Sequence, residues 1–278
     1  MPQQLPALLE LLVPQFKIQS SQNQMNQSCK WIREPPSQED VEWAKEQSQS
    51  QAQYDKENLK KEVWDAYIAG TFVLDCRSCV YGKVMAFVPA GTDPTPWDLW
   101  SRIFKYFGVS PGGPWRVTWF ASQKKRTLPL DSVPLGPEHI NGGYAFPCKP
   151  NTIVIYREEE ATRVLIHELL HAACTDRTLP IEEMEAETEA WAEILLVAIL
   201  AEGSERKAQA LWAAQAKWVA DQNRRLEVNY DVKGPEDYVW RYTCARKAAY
   251  LRLGLELPEG DVTAERSNRL TTSRLKIV

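Results

Sequence analysis

The chain changes character at Tyr156, and that change limits its architecture more than any other feature. Upstream, short runs rich in β-branched and aromatic residues cover Val84 to Val88, Trp115 to Phe120, Tyr144 to Phe146 and Thr152 to Tyr156. Pro/Gly clusters at 91–96, 111–114 and 147–150 separate them, the pattern of strands and turns. Trp97 to Phe107 reads as one intervening helix. Downstream, Glu158 to Cys174 carries neither Gly nor Pro and places Val164, Leu165, Leu169 and Ala172 at helical spacing. A break over Asp176 to Pro180 is followed by helices at Ile181 to about Ala201, Ser204 to about Glu227 and Pro235 to Leu253, with Pro235 suited to a first turn. Strands first and helices afterwards imply an α+β fold.

The N-terminal stretch is different. Twelve of the first 53 residues are glutamine, and Pro35-Pro36 breaks any long helix. Residues 1–55 therefore read as an arm or linker, partly disordered and helical only from Glu39 onward. Residues 56–258 form the folded domain, with a sheet part over 56–157 and a helical part over 158–258, and residues 259–278 form a polar tail. A net charge of −4 and a pI near 5.6 argue against nucleic acid as a partner. The apolar run Leu5 to Val13 is too short to span a bilayer and makes a poor signal peptide, so a soluble cytoplasmic protein without a membrane span is expected. Cys76 to Cys79 is a lone CxxC; a structural zinc site wants a second pair, so the six cysteines read as half-buried thiols.

The chain has three histidines, and two of them flank a glutamate in His167-Glu168-Leu-Leu-His171. On a helix, residues i and i+4 project from nearly one face, so both imidazoles can reach one metal ion. Zinc there lowers the pKa of a bound water to about 7, and Glu168 is placed to take its proton and pass it to a leaving amine. The HExxH helix directly after the strand Thr152 to Tyr156 resembles the zincin metallopeptidases, whose small twisted sheet places a strand beside the substrate. The resemblance implies a Zn2+ cofactor, a peptide or protein substrate and a peptidase activity. It spans roughly residues 140–200. Within it, Ile140-Asn-Gly-Gly-Tyr144, Ile153-Val-Ile-Tyr-Arg157 and the HELLH helix also look like metallopeptidase-like proteins of large DNA viruses. The alternatives are a zincin-fold hydrolase of another amide and a non-catalytic scaffold held by zinc.

A third ligand must come from a carboxylate, from the upstream His139 or from Cys174, because no histidine follows His171 and a metzincin-type extension is missing. The helix from Ile181 carries Glu182, Glu183, Glu185, Glu187, Glu189 and Glu193. At about 100° per residue, Glu185 and Glu189 share an azimuth with Ala192, Leu196 and Ile199, the apolar stripe, while Glu187 points away. Carboxylates on an inward stripe are costly unless paired or bound to metal. An antiparallel hairpin turning near residues 177–178 would set Glu185 level with His171 and Glu189 level with His167. In the gluzincin branch of the zincins the ligand is the glutamate of an ExxxD/E pair whose downstream acid orients the first histidine, which implies Glu185 as ligand and Glu189 behind it. The reverse, Glu189 as ligand with Glu193 behind it, stays open. Zincins also use a Tyr, His or Arg on the oxyanion, for which His139, Tyr144, Tyr238, Arg241 and Tyr242 are candidates.

Overall fold

A two-residue turn at Val80-Tyr81 pairs β2 (Phe72–Cys79) with β3 (Gly82–Pro89) in an antiparallel hairpin, and the sheet grows outward from it. The computed structural model describes residues 5–17, 30–50, 53–110, 112–129, 133–175 and 179–262. The other strands are β1 (Ile32–Arg33), β4 (Trp115–Phe120), β5 (Gly143–Tyr144) and β6 (Ile153–Ile155), in the spatial order β1-β2-β3-β4-β6-β5. β3, β4 and β6 run parallel, while β1 and β5 are antiparallel to their neighbours, so the six-stranded sheet is mixed. Helices are α1 (Ala7–Leu12), α2 (Gln38–Gln49), α3 (Leu59–Ile68), α4 (Trp97–Phe107), α5 (Ala161–Ala172), α6 (Ile181–Ala201), α7 (Glu205–Asn229) and α8 (Arg246–Arg252). The fold is α+β, as the change of character at Tyr156 implies.

The chain forms two compact units. The sheet unit holds all six strands with α2 to α5; the helical unit holds α1, the segment 126–140 and α6 to α8. Side chains alternate across a pleated strand, so one sheet face presents Phe87, Phe120 and Val154 to Ala44 of α2 and to Leu59, Val63 and Trp64 of α3. The Phe87 and Phe120 rings stack with centroids 5.1 Å apart. On the opposite face Trp119 packs against Trp100 of α4, whose indole N–H donates to Thr162 Oγ1 of α5 at 2.9 Å. In the helical unit, α6 packs on α1, α7 and α8, and Leu128, Ile140, Leu226, Val232, Val239 and Tyr242 form a second apolar cluster.

The structure corrects two expectations and adds details of the sheet. The helix expected over Pro235 to Leu253 is a set of turns, with a 3-10 turn at Trp240–Tyr242 before α8. Side chains compete for the backbone there: Asp237 Oδ2 accepts from Lys233 N–H at 2.7 Å, and Thr243 Oγ1 donates to the Val239 carbonyl at 2.7 Å. β6 lies inside the sheet, so the free edge belongs to β5. β2 escaped detection because Asp75 and Arg77 break its apolar run; they form an ion pair with each other, and Arg33 of β1 joins them at 2.9 Å from Asp75. The cysteines are not all thiols: Cys148 and Cys174 form a disulfide, Cys79 is also disulfide-bonded, and Cys76 and Cys244 are free. The turn expected near residues 177–178 lies outside the described residues. No helix among the described residues is long and apolar enough to cross a membrane.

Within the glutamine-rich stretch, α2 is tied to the sheet by one carboxylate. Asp40 and Ser37 form a reciprocal capping box, and Asp40 also binds Lys83 of β3 at 2.6 Å and Arg116 of β4. Burial works against the charge of Asp40, yet hydrogen bonds from Lys83, Arg116 and Ser37 hold its carboxyl well below the ordinary value of 3.8. A depressed folded pKa contributes stability that is present above 3.8 and is lost as pH falls toward the folded value. Asp40→Asn should therefore destabilise by about 2 kcal/mol at neutral pH. Urea melts should show that gap closing below about pH 3, and a gap independent of pH would remove the ionic role.

Candidate metal centre

All twelve residues of α5 are buried, polar ones included. The sequence explains the helix itself: Val164, Leu165, Ile166, Leu169 and Leu170 supply a wide apolar surface, His167 and His171 fill the remaining sector, and no Gly or Pro interrupts it. Its two ends are fixed by left-handed residues. Glu160 enters with φ 59°, and Cys174 leaves with φ 62° just past Ala173. Thr175 N–H then reaches back to the Leu170 carbonyl and Cys174 N–H to the His171 carbonyl at 3.1 Å, which satisfies acceptors that a helix end leaves open.

That terminus is clamped from a second side. Cys148 N–H also donates to the His171 carbonyl at 3.1 Å, and the Cys148–Cys174 bond joins the two donors covalently. The backbone of His171 is thus held by two N–H groups whose residues are linked to each other. His167 and His171 lie one turn apart with Nε2 atoms 2.9 Å from each other and rings inclined at 78°. Both are buried, at 7% and 6% exposure, as is Glu168 at 5%.

Glu168 lies against β5. A Cβ added at Gly143 would sit 3.1 Å from Glu168 Oε1, 2.6 Å from Val164 Cγ1 and 2.9 Å from the Val154 carbonyl. Only glycine lets the edge strand approach the helix this closely. The Asn141-Gly142-Gly143 segment is held in turn by Arg157, whose Nε donates to the Asn141 carbonyl at 3.1 Å while its Nη2 pairs with Glu57 at 2.7 Å.

On α6 the acidic residues divide. Glu185 is half-buried, Glu189 is buried, and Glu193 is buried between Arg246 and Tyr250, with Arg246 also bonded to Gln222 at 2.8 Å. Glu193, which would stand behind Glu189 in the alternative assignment, is therefore already committed to partners of its own. His167, His171 and Glu185 each offer one ligand atom, all within 4.8 Å of one another, and together could hold a metal ion. Glu189 is not part of that group.

No protein-family model, curated protein or solved structure matches the chain. Its chemistry has to be read from geometry.

The other candidates are placed as follows. His139 ends the 3-10 turn Pro137–His139, where its Nδ1 accepts from Gly136 N–H at 2.9 Å. Cys174 is in a disulfide and offers no thiolate. Tyr144 on β5 donates to Gln47 Oε1 at 2.8 Å and accepts from Lys60 Nζ at 3.1 Å, which ties it to α2 and α3. Burial, with the charges of Asp55 and Glu168, pushes its phenol above the ordinary range. Tyr238 and Tyr242 pack with ring centroids 5.4 Å apart. Burial pushes Tyr242 up strongly, and the nearby negative charge of Glu185 adds to it, so its O–H stays protonated.

Sequence reasoning missed the Cys148–Cys174 clamp and the Glu193–Arg246–Tyr250 cluster. Connectivity of cysteines cannot be read from spacing. Glu193 carried a weak signal, since it follows Glu189 by four residues and shares its side of the helix. Closing a loop of 26 residues stabilises by about 3.5 kcal/mol in the chain-entropy model. Reduction, or the Cys148→Ser/Cys174→Ser pair, should lower the melting temperature and weaken metal affinity together. An unchanged affinity in a metal titration would show that the helix end holds His171 without the bond.

Proposed function

We propose that this protein is a zinc-dependent metallopeptidase. The observation that carries the reading is the His167-His171-Glu185 group with Glu168 on the same turn of α5 as the histidines. Two imidazole nitrogens and one carboxylate oxygen suit zinc, and three protein ligands leave a fourth position for water or substrate. Zinc held there would supply Lewis acidity and lower the pKa of a water near neutrality.

The protein's own groups do the remaining work. Glu168 takes a proton from the attacking water and delivers it to the leaving amine; its burial against Gly143 fixes the carboxylate in one place. Glu189 orients a ligand from behind. Tyr242, kept protonated by burial and by the charge of Glu185, donates to the oxyanion of the tetrahedral intermediate. The Cys148–Cys174 disulfide, which oxidising compartments sustain and the cytosol reduces, supports work outside the cytoplasm.

Two measurements test this. Glu168→Gln should keep its full complement of zinc and lose hydrolysis by about 100-fold or more. Full activity in that variant would remove the general base, and absence of metal from the wild-type protein would remove the enzyme reading altogether. Metal titrations should rank Glu185→Ala as more damaging than Glu189→Ala. The opposite order would move the ligand role to Glu189.

A further inference from the structure

The buried arginines among the described residues are heavily engaged, and half-buried Arg241 is not. Arg157 binds Glu57 and two carbonyls, Arg246 binds Glu193 and Gln222, and Arg126 donates to the Ile140 carbonyl at 2.8 Å. Arg241 is different. Its side chain is only 18% exposed, its closest carboxylate is Glu182 at 3.9 Å, and its Nε has no hydrogen-bond partner among the described residues. Its remaining contact is with the ring of Tyr238, 5.6 Å from the guanidinium carbon. A guanidinium carries five donors in a rigid fork that suits a carboxylate, and 3.9 Å lies beyond hydrogen-bonding range. A buried Nε without a partner among the described residues is costly unless a ligand completes the fork.

Its place in the fold indicates which ligand. The 3-10 turn Trp240–Tyr242 packs on α6. Glu182, beside Arg241, precedes Glu185 by three residues on the same face of α6, about 4.5 Å along the helix axis. One peptide residue spans about 3.5 Å. A peptide running along this face with its scissile carbonyl at Glu185 would need a span of that order to reach Glu182, the carboxylate beside Arg241. Tyr242, adjacent in sequence, feels the charges of both Glu185 and Arg241.

We infer that Arg241 anchors the C-terminal carboxylate of the substrate, so that the enzyme removes single residues from the carboxyl end of peptides. The inference rests on the metallopeptidase reading above. Arg241 and the carboxylate form a bidentate ion pair, Tyr238 covers one face of the guanidinium, and Glu182 holds it loosely until substrate arrives.

The test uses the zinc-loaded full chain and one peptide made twice, with a free C-terminal acid and with a C-terminal amide. The acid should be cleaved with a kcat/KM about 10- to 100-fold higher. Arg241→Gln should erase that preference, raising KM for the acid about 10-fold or more beyond any change on the amide, and Arg241→Lys should restore part of it. Equal cleavage of acid and amide by the wild type, or equal losses on both in Arg241→Gln, would overturn the anchor and mark Arg241 as structural. Preferred cleavage of amides carrying Asp or Glu after the scissile bond would move the recognised carboxylate from the chain terminus to a side chain and overturn the exopeptidase assignment. Calorimetry with N-acetyl amino acids and their amides separates the two levels of the argument. Acid-selective binding that disappears in Arg241→Gln, without hydrolysis of either peptide, would sustain the anion anchor and sink the peptidase reading.

Discussion

Complete burial of α5 is the constraint on which the rest depends. An amphipathic surface helix leaves its polar face to water, but this helix is buried all round and turns no face to water. Two imidazoles and a carboxylate are carried indoors with it, where polar groups are expensive unless matched by partners. His167 and His171 meet each other at 2.9 Å, and the chemistry proposed for them and for Glu168 accounts for polar groups at positions where packing alone would favour apolar ones. A structural helix of the same length would be served better by leucine at all three positions.

Much of the precision of the site comes from backbone rather than from side-chain packing. Gly143 admits the edge strand to within contact of Glu168, and Arg157 holds the preceding carbonyls in place. At the other end of the helix, the residues of one disulfide place two N–H groups on the carbonyl of His171. Such clamps cost little conformational freedom at the moment of binding, because the freedom has already been lost in folding.

The legibility of the sequence follows from the range of the interactions involved. α4, α6 and β4 could be bounded from periodicity and punctuation because their apolar patterns are strong and local. His167, Glu168 and His171 were legible for the same reason, since four residues of helix suffice to bring the two rings together. What failed depends on distant partners. β2 carries an ion pair from β1, and the clamp at His171 rests on a bond between cysteines 26 residues apart. Neither leaves a mark in a window of ten residues, whereas the turns over 235–245 depend on side chains that capture backbone groups only four residues away. The interior position of β6 was illegible for a related reason: the strand that covers it, β5, is two residues long.

The acidic helix shows how one composition can serve several purposes. Its first four turns carry six carboxylates that look interchangeable in sequence, and an acidic pI counts them equally. The structure sorts them by azimuth and partner. Glu187 meets Arg252 at 2.7 Å with a quarter of its surface exposed, which is ordinary surface pairing of small energetic value. Glu193 is neutralised in the interior by Arg246 and Tyr250, where loss of one partner would strand a charge. Glu185 stands in the metal-competent group, and Glu182 faces Arg241 across a gap too wide for a hydrogen bond. Evolution had the means to close that gap, since the next turn of the same helix makes a tight Glu–Arg pair within the same unit. Leaving both a carboxylate and a guanidinium under-used beside a metal-competent group is economical only if something from outside binds there.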